Sequence, residues 1–130
     1  MKMRAHHAYC SQFQRFTDPS RKEAFEEAVS KIEKLHKEGQ EKLEMVNCPD
    51  FLCQACSFFN GQECAHPSGG ETGVRKWDAR ILEGTGLAAG QVLTFAELKS
   101  LVQKKAPLDF CRTKCPYYLD NKCDGETFRY

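Results

Sequence analysis

The sequence predicts a mostly α domain with minor β structure, and three observations support that class. Phe25, Ala28, Val29, Ile32 and Leu35 recur at helical spacing, which gathers them on one face of a helix. Thr94-Phe95-Ala96-Glu97 has the spacing of a capping box, in which hydroxyl and carboxylate satisfy backbone N–H groups at a helix start. Two cysteine segments, 49–64 and 107–123, each open on a proline that can begin a short helix.

Taken in order, the chain begins with Arg4-Ala5-His6-His7-Ala8-Tyr9-Cys10, followed by Phe13 and Phe16 as apolar anchors. Thr17 or Asp18 can cap the first long helix, Pro19 suits its first turn and Gly39 its end. His36, at the polar edge of that helix, is expected to face solvent. Leu43, Met45 and Val46 suggest a short strand. Residues 66–74 read as a loop from their Pro, Gly and Ser content. A helix from about residue 75 to 83 should bury Trp77, Ile81 and Leu82, and the glycines at 84, 86 and 90 should break it. Gly86-Leu87-Ala88-Ala89-Gly90 lacks the Gly-Lys-Ser/Thr of a phosphate loop and reads as a turn. The capping box then starts a helix to Lys105 that buries Phe95, Leu98, Leu101 and Val102, and Pro107 follows its end. One domain, 1–130, accommodates all of this.

Composition narrows the function classes. Net charge is +1 with both signs interspersed, which argues against a nucleic-acid partner. The chain has no apolar run of membrane-spanning length. Lys2 and Arg4 are followed by the polar stretch Tyr9–Arg15 where a secretory signal needs a continuous apolar core. Eight cysteines amount to about 6% of the chain, below the roughly 8–10% of small secreted disulfide scaffolds. The expected compartment is therefore a reducing cytoplasm, where clustered cysteines read as metal ligands or redox centres.

The cysteines form an internal repeat. Cys53, Cys56 and Cys64 match Cys111, Cys115 and Cys123: a proline four residues before the first, a near pair, two aromatics, a polar turn, and a third cysteine after seven intervening residues. Two thiols so spaced can address one ion or cluster, and a turn at Asn60-Gly61 or Asp120-Asn121 can return the third. Cys10 and Cys48 are left over, enough to make two four-thiolate sites. His6, His7 or His66 could instead complete a site, or the two near pairs could share one metal.

Both iron–sulfur clusters and zinc take tetrahedral thiolates. Ser57 and Pro116 stand where a zinc knuckle favours glycine, and Cys48-Pro49 and Cys115-Pro116 are similar to the cysteine-proline that closes ferredoxin runs. The balance leans to one or two iron–sulfur clusters, of the 4Fe–4S type, with zinc as the alternative. His6 and His7 stand four and three residues before Cys10, within reach of its thiol on a helix.

Arg4-Ala5-His6-His7-x-x-Cys10, Pro49-Asp50-x-x-Cys53-x-x-Cys56, Asp78-Ala79-Arg80-Ile81-Leu82, Gly86-Leu87-x-x-Gly90, Cys111-x3-Cys115 and Cys123 occur in this order. That order resembles a family of prokaryotic proteins of similar length, catalogued as domain of unknown function 1284. The resemblance implies iron–sulfur binding and a functional role for His6 and His7, and supplies no reaction. Three classes follow: an iron–sulfur protein for redox or electron transfer with a redox partner protein, a zinc-stabilised interaction module, or a small metalloenzyme with catalytic His6 and His7. No Gly-x-Ser-x-Gly elbow is present to support a serine hydrolase.

Overall fold

A computed structural model describes residues 1–130. It is α-rich with one small sheet of order β1-β2-β3. Strand β1 (Lys2–Arg4) runs parallel to β2 (Lys42–Val46), and β2 pairs antiparallel with β3 (Val92–Thr94). The parallel pair needs a crossover. It is supplied by α1 (Ala5–Cys10) and α2 (Glu23–Glu38). Because α1 continues directly from β1, the sheet edge fixes where His6, His7 and Cys10 are presented.

The apolar stripe of α2 is core as expected: Phe25, Val29, Ile32 and Leu35 are buried, and Ala28 packs against them. The helix ends on Gly39, whose φ of 72° suits a left-handed cap. Its start differs from expectation. Asp18 does not cap α2, which begins at Glu23. Its carboxylate instead accepts the Ser20 N–H at 2.7 Å and the Ser57 N–H at 2.6 Å, tying this loop to the first cysteine segment. His36 also departs from expectation: it is buried, 2.7 Å from the Ser11 hydroxyl, and stacked on Tyr130.

Helix α4 (Gly70–Thr85) begins within the stretch expected to be loop. Gly69 and Gly70 at φ 124° and 62° let the chain turn into it. It also runs through Gly84, which was expected to break it. A Cβ there would lie 2.8 Å from Leu108 Cδ1, so Gly84 allows the C-terminal segment to approach the helix. Gly86, at φ 74°, is the true stop. The capping box forms: Glu97 N–H donates to Thr94 Oγ1 at 3.1 Å and Thr94 N–H to Glu97 Oε2 at 2.8 Å, opening α5 (Phe95–Lys105).

The two cysteine segments share their first half. Helices α3 (Phe51–Ala55) and α6 (Asp109–Thr113) each follow their proline, with one cysteine inside and the second just past the end. They then diverge. Phe59 and Cys64 form a β-bridge around Asn60, whose Oδ1 accepts the N–H groups of Gln62 and Glu63 at 2.9 Å. Pro116 instead starts a short helix α7 (Pro116–Leu119), and Asn121 at φ 59° turns the chain so that the Cys123 N–H donates to Tyr117 O at 3.1 Å. Ser57 has no ring to fix a helical φ, and its N–H is already held by Asp18.

Candidate metal centre

Under the site lies a buried cation. Arg4 Nη2 donates to Glu71 Oε2 at 2.6 Å and Nε to Asp78 Oδ2 at 2.8 Å, all three side chains being nearly inaccessible. The guanidinium satisfies two carboxylates brought from α4, so the charges are paired as buried charges must be. Burial works against ionisation of Glu71, but Arg4 and the Cys64 N–H hold its carboxyl down at about 2. Arg4 Nη1 also lies 3.9 Å from Cys53 Sγ.

Both histidines are anchored from behind. His6 Nδ1 is 2.8 Å from Asp78 Oδ1, and His7 Nδ1 is 2.8 Å from Asp50 Oδ2. In a neutral ring the nitrogen facing a carboxylate carries the proton, which leaves Nε2 of His6 with its lone pair. Burial and the neighbouring His7 push His6 down to about 4 despite Asp78, so it is neutral at pH 7. The two rings lie 4.2 Å apart, and Trp77 stacks on His6 at 5.2 Å.

These rings border a cavity of ≈ 150 Å³ whose wall also carries Cys53, Cys56 and Cys64. Burial and the Asp50 charge push the Cys53 thiol up to about 12. A thiol so held is a poor nucleophile at neutral pH, which argues against a cysteine-protease type of chemistry. A metal that replaces the proton would make it a thiolate.

Cys10 stands on the wall of the same cavity and also lies near the second triplet, of which Cys111 and Cys115 are buried and Cys123 is partly buried. Burial, then the charges of Cys111, Cys115 and Cys123, raise the Cys10 thiol well above its ordinary value. Tyr117 stacks on Trp77 at 5.9 Å and Trp77 on His6 at 5.2 Å, an aromatic column that links α7 to the histidines. The Tyr9 hydroxyl is buried without a hydrogen-bond partner beside the Cys111 thiol.

All eight cysteines are free. His7, Asp50 and Cys53 bring donor atoms within 4.8 Å of one another, the one such trio among the His, Cys, Asp and Glu groups. Asp50 is nevertheless better read as an orienting group. Its Oδ1 accepts the N–H groups of Leu52 and Cys53, and its Oδ2 accepts that of Arg4 as well as facing His7. Cys48 is half-buried and absent from the cavity wall. His66 lines the cavity, with Nδ1 2.6 Å from Ser68 Oγ.

Sequence reasoning took Arg4, Asp50 and Asp78 only as parts of a motif order and passed over Glu71. Their signal was weak because a lone charged residue in a sequence does not announce its partner, and Arg4 meets Asp78 across 74 positions.

The fold and site thus define a small α-rich, cysteine-rich domain whose donor groups fit metal binding. The chain belongs to the family described as protein of unknown function DUF1284, whose model matches residues 21–123. That match spans seven of the eight cysteines along with Asp50, Glu71 and Asp78, and begins after Arg4, His6, His7 and Cys10. No curated protein and no solved structure matches the chain. No helix is long and apolar enough to cross a membrane.

Proposed function

We propose that the protein binds an iron–sulfur cluster of the 4Fe–4S type on Cys10, Cys111, Cys115 and Cys123, and serves redox chemistry or electron transfer with a partner protein in a reducing cytoplasm. The observation that carries this reading is that Cys10, from the N-terminal helix, is buried close enough to Cys111, Cys115 and Cys123 for their charges to raise its thiol. The donor set fits the group, since four thiolates are what such a cluster takes. The buried Tyr9 hydroxyl beside Cys111 fits as well, because a thiolate or sulfide there would accept a hydrogen bond from it. When bound, the cluster supplies one-electron redox chemistry. The chain's own part is to bury it, cover it with Tyr9 and Tyr117, and keep water from the sulfurs.

The zinc alternative is weaker. Zinc–sulfur bonds of about 2.3 Å in a tetrahedron would bring thiols to roughly 4 Å of one another. No three of these thiols lie within 4.8 Å of one another, so a zinc ion would have to draw them together.

Anaerobic purification with adequate iron, followed by iron and acid-labile sulfide analysis, tests the reading. The expected protein is brown, with broad charge-transfer absorption and labile sulfide. A colourless protein with stoichiometric zinc, unchanged by anaerobic reconstitution with iron and sulfide, transfers the assignment to the zinc module.

A further inference from the structure

We propose that the cavity beside His6 and His7 binds a single divalent ion of the zinc class, held by His7, Cys53, Cys56 and Cys64. The site goes beyond the foregoing reading and uses none of the four cysteines committed there.

A fixed pair of donors starts the site. A ring nitrogen of His7 and the Cys53 sulfur lie within 4.8 Å of each other, beside Asp50. Imidazole and thiolate together suit a borderline ion such as zinc, not a hard one. Asp50 positions both: its Oδ2 faces His7 Nδ1 at 2.8 Å, and its Oδ1 accepts the Cys53 N–H at 3.1 Å. A carboxylate behind a ligating histidine is the usual outer partner in a metal site.

The backbone presents the other two thiols. Cys53-x2-Cys56 has the spacing of a zinc knuckle. Although Ser57 replaces the glycine such knuckles favour, the Phe58 and Phe59 N–H groups still face the Cys56 thiol, where they favour its thiolate. The Cys64 N–H donates to Glu71 Oε1 at 3.0 Å, and the Ser57 N–H, next to Cys56, to Asp18 Oδ2 at 2.6 Å. Buried carboxylates of Asp18, Asp50 and Glu71 therefore pin the backbone at or beside all three cysteines. The C-terminal segment is built differently: Cys115 and Cys123 donate to the carbonyls of Phe110 and Tyr117, and α6 has no side-chain cap.

With the backbone held, side-chain rotation brings Cys56 and Cys64 onto the ion. Three thiolates and one divalent ion leave a single negative charge, which Arg4 Nη1, 3.9 Å from Cys53 Sγ, offsets. Cys10 shares the cavity wall, but the thiols whose charges reach it are Cys111, Cys115 and Cys123. His7 is therefore the fourth ligand.

NMR-active cadmium, a stand-in for zinc, tests this in the reduced, metal-free full chain. Its through-bond couplings to protons name its ligands, however many ions bind. One cadmium should couple to the β-protons of Cys53, Cys56 and Cys64 and to a ring proton of His7. Chelator competition followed on that signal should show Asp50→Asn binding about 10–100-fold more weakly than wild type. After anaerobic reconstitution with iron and sulfide, Cys53→Ser should keep the wild-type content of both.

The proposal is overturned if no cadmium couples to both Cys53 and His7, or if Cys10 couples in place of His7. Loss of iron and sulfide through Cys53→Ser overturns it too, by giving these thiols to a second cluster. The wild-type cadmium arm stands even where a variant fails to fold. Failure of the preceding reading looks different: wild type would then hold no iron or sulfide while these cadmium couplings remained.

Discussion

His7 Nδ1 lies 2.8 Å from Asp50 Oδ2, the same oxygen that accepts the backbone N–H of Arg4 at 2.9 Å. One carboxylate thus joins the end of β1, the histidine on α1 and, through Oδ1, the first turn of α3 that carries Cys53. Its pKa is held well below the carboxylate range by His7 and these N–H groups, although burial acts the other way.

Replacing Asp50 with Ala should remove the cap of α3 and leave a buried N–H of Arg4 unpaired. We expect a loss of about 1–3 kcal/mol in the metal-free protein, read from urea denaturation. Asp50→Asn should lose less, because its amide oxygen can still accept. An Asp50→Ala protein as stable as wild type would show that these contacts add nothing to stability.

Arg4→Met should be more damaging. It takes the guanidinium from the buried carboxylates of Glu71 and Asp78, leaving Glu71 with Arg75 at 3.0 Å and Asp78 with His6, and breaking a buried pair on one side costs about 3–5 kcal/mol. Adding Asp78→Asn and Glu71→Gln to Arg4→Met should recover part of the loss, since the uncompensated charges are then gone. Chemical denaturation of the single and triple variants checks both statements. If the triple variant is no better than the single, packing rather than charge explains the effect.

How far the sequence reached follows from which interactions are local. The stripe from Phe25 to Leu35 and the Thr94–Glu97 box depend on spacing of a few residues, and both formed as expected. The errors came from glycines and polar residues whose role is set by distant partners. Gly84 reads as a breaker until Leu108 is seen against it. Asp18 reads as a cap until Ser57 takes its carboxylate, and His36 reads as solvent-facing until Ser11 and Tyr130 close over it. The site was legible in the same measure. The cysteine repeat was plain, while the Arg4–Glu71–Asp78 base needed the fold to assemble it.

His36 carries a prediction for pH. Burial, with Arg129 and Lys99 nearby, pushes it down to about 4. The unfolded chain, with an ordinary histidine pKa near 6.5, binds the proton first, so this group's contribution is fully present above about pH 6.5 and is lost as pH falls towards 4. The expected loss from this one residue is roughly 3 kcal/mol over that window. His36→Gln, which can still meet Ser11, should flatten the pH dependence measured by urea denaturation of the metal-free protein. An unchanged slope would mean that His36 gains a proton in the folded state at no cost.

The leftover cysteines carry the last prediction. Cys10 is buried near Cys111 and Cys115, and Cys48 lies half-buried between β2 and α3, away from the cavity wall. The two thiols that the repeat leaves over should therefore behave differently. After anaerobic reconstitution, Cys10→Ala should bind about as little iron and sulfide as Cys111→Ala, because each removes one of four thiolates from the same set. Cys48→Ala should keep the wild-type content. A protein that loses iron through Cys48→Ala and keeps it through Cys10→Ala would exchange their roles, and the N-terminal helix would then hold its place through Tyr9 and Phe13 packing alone.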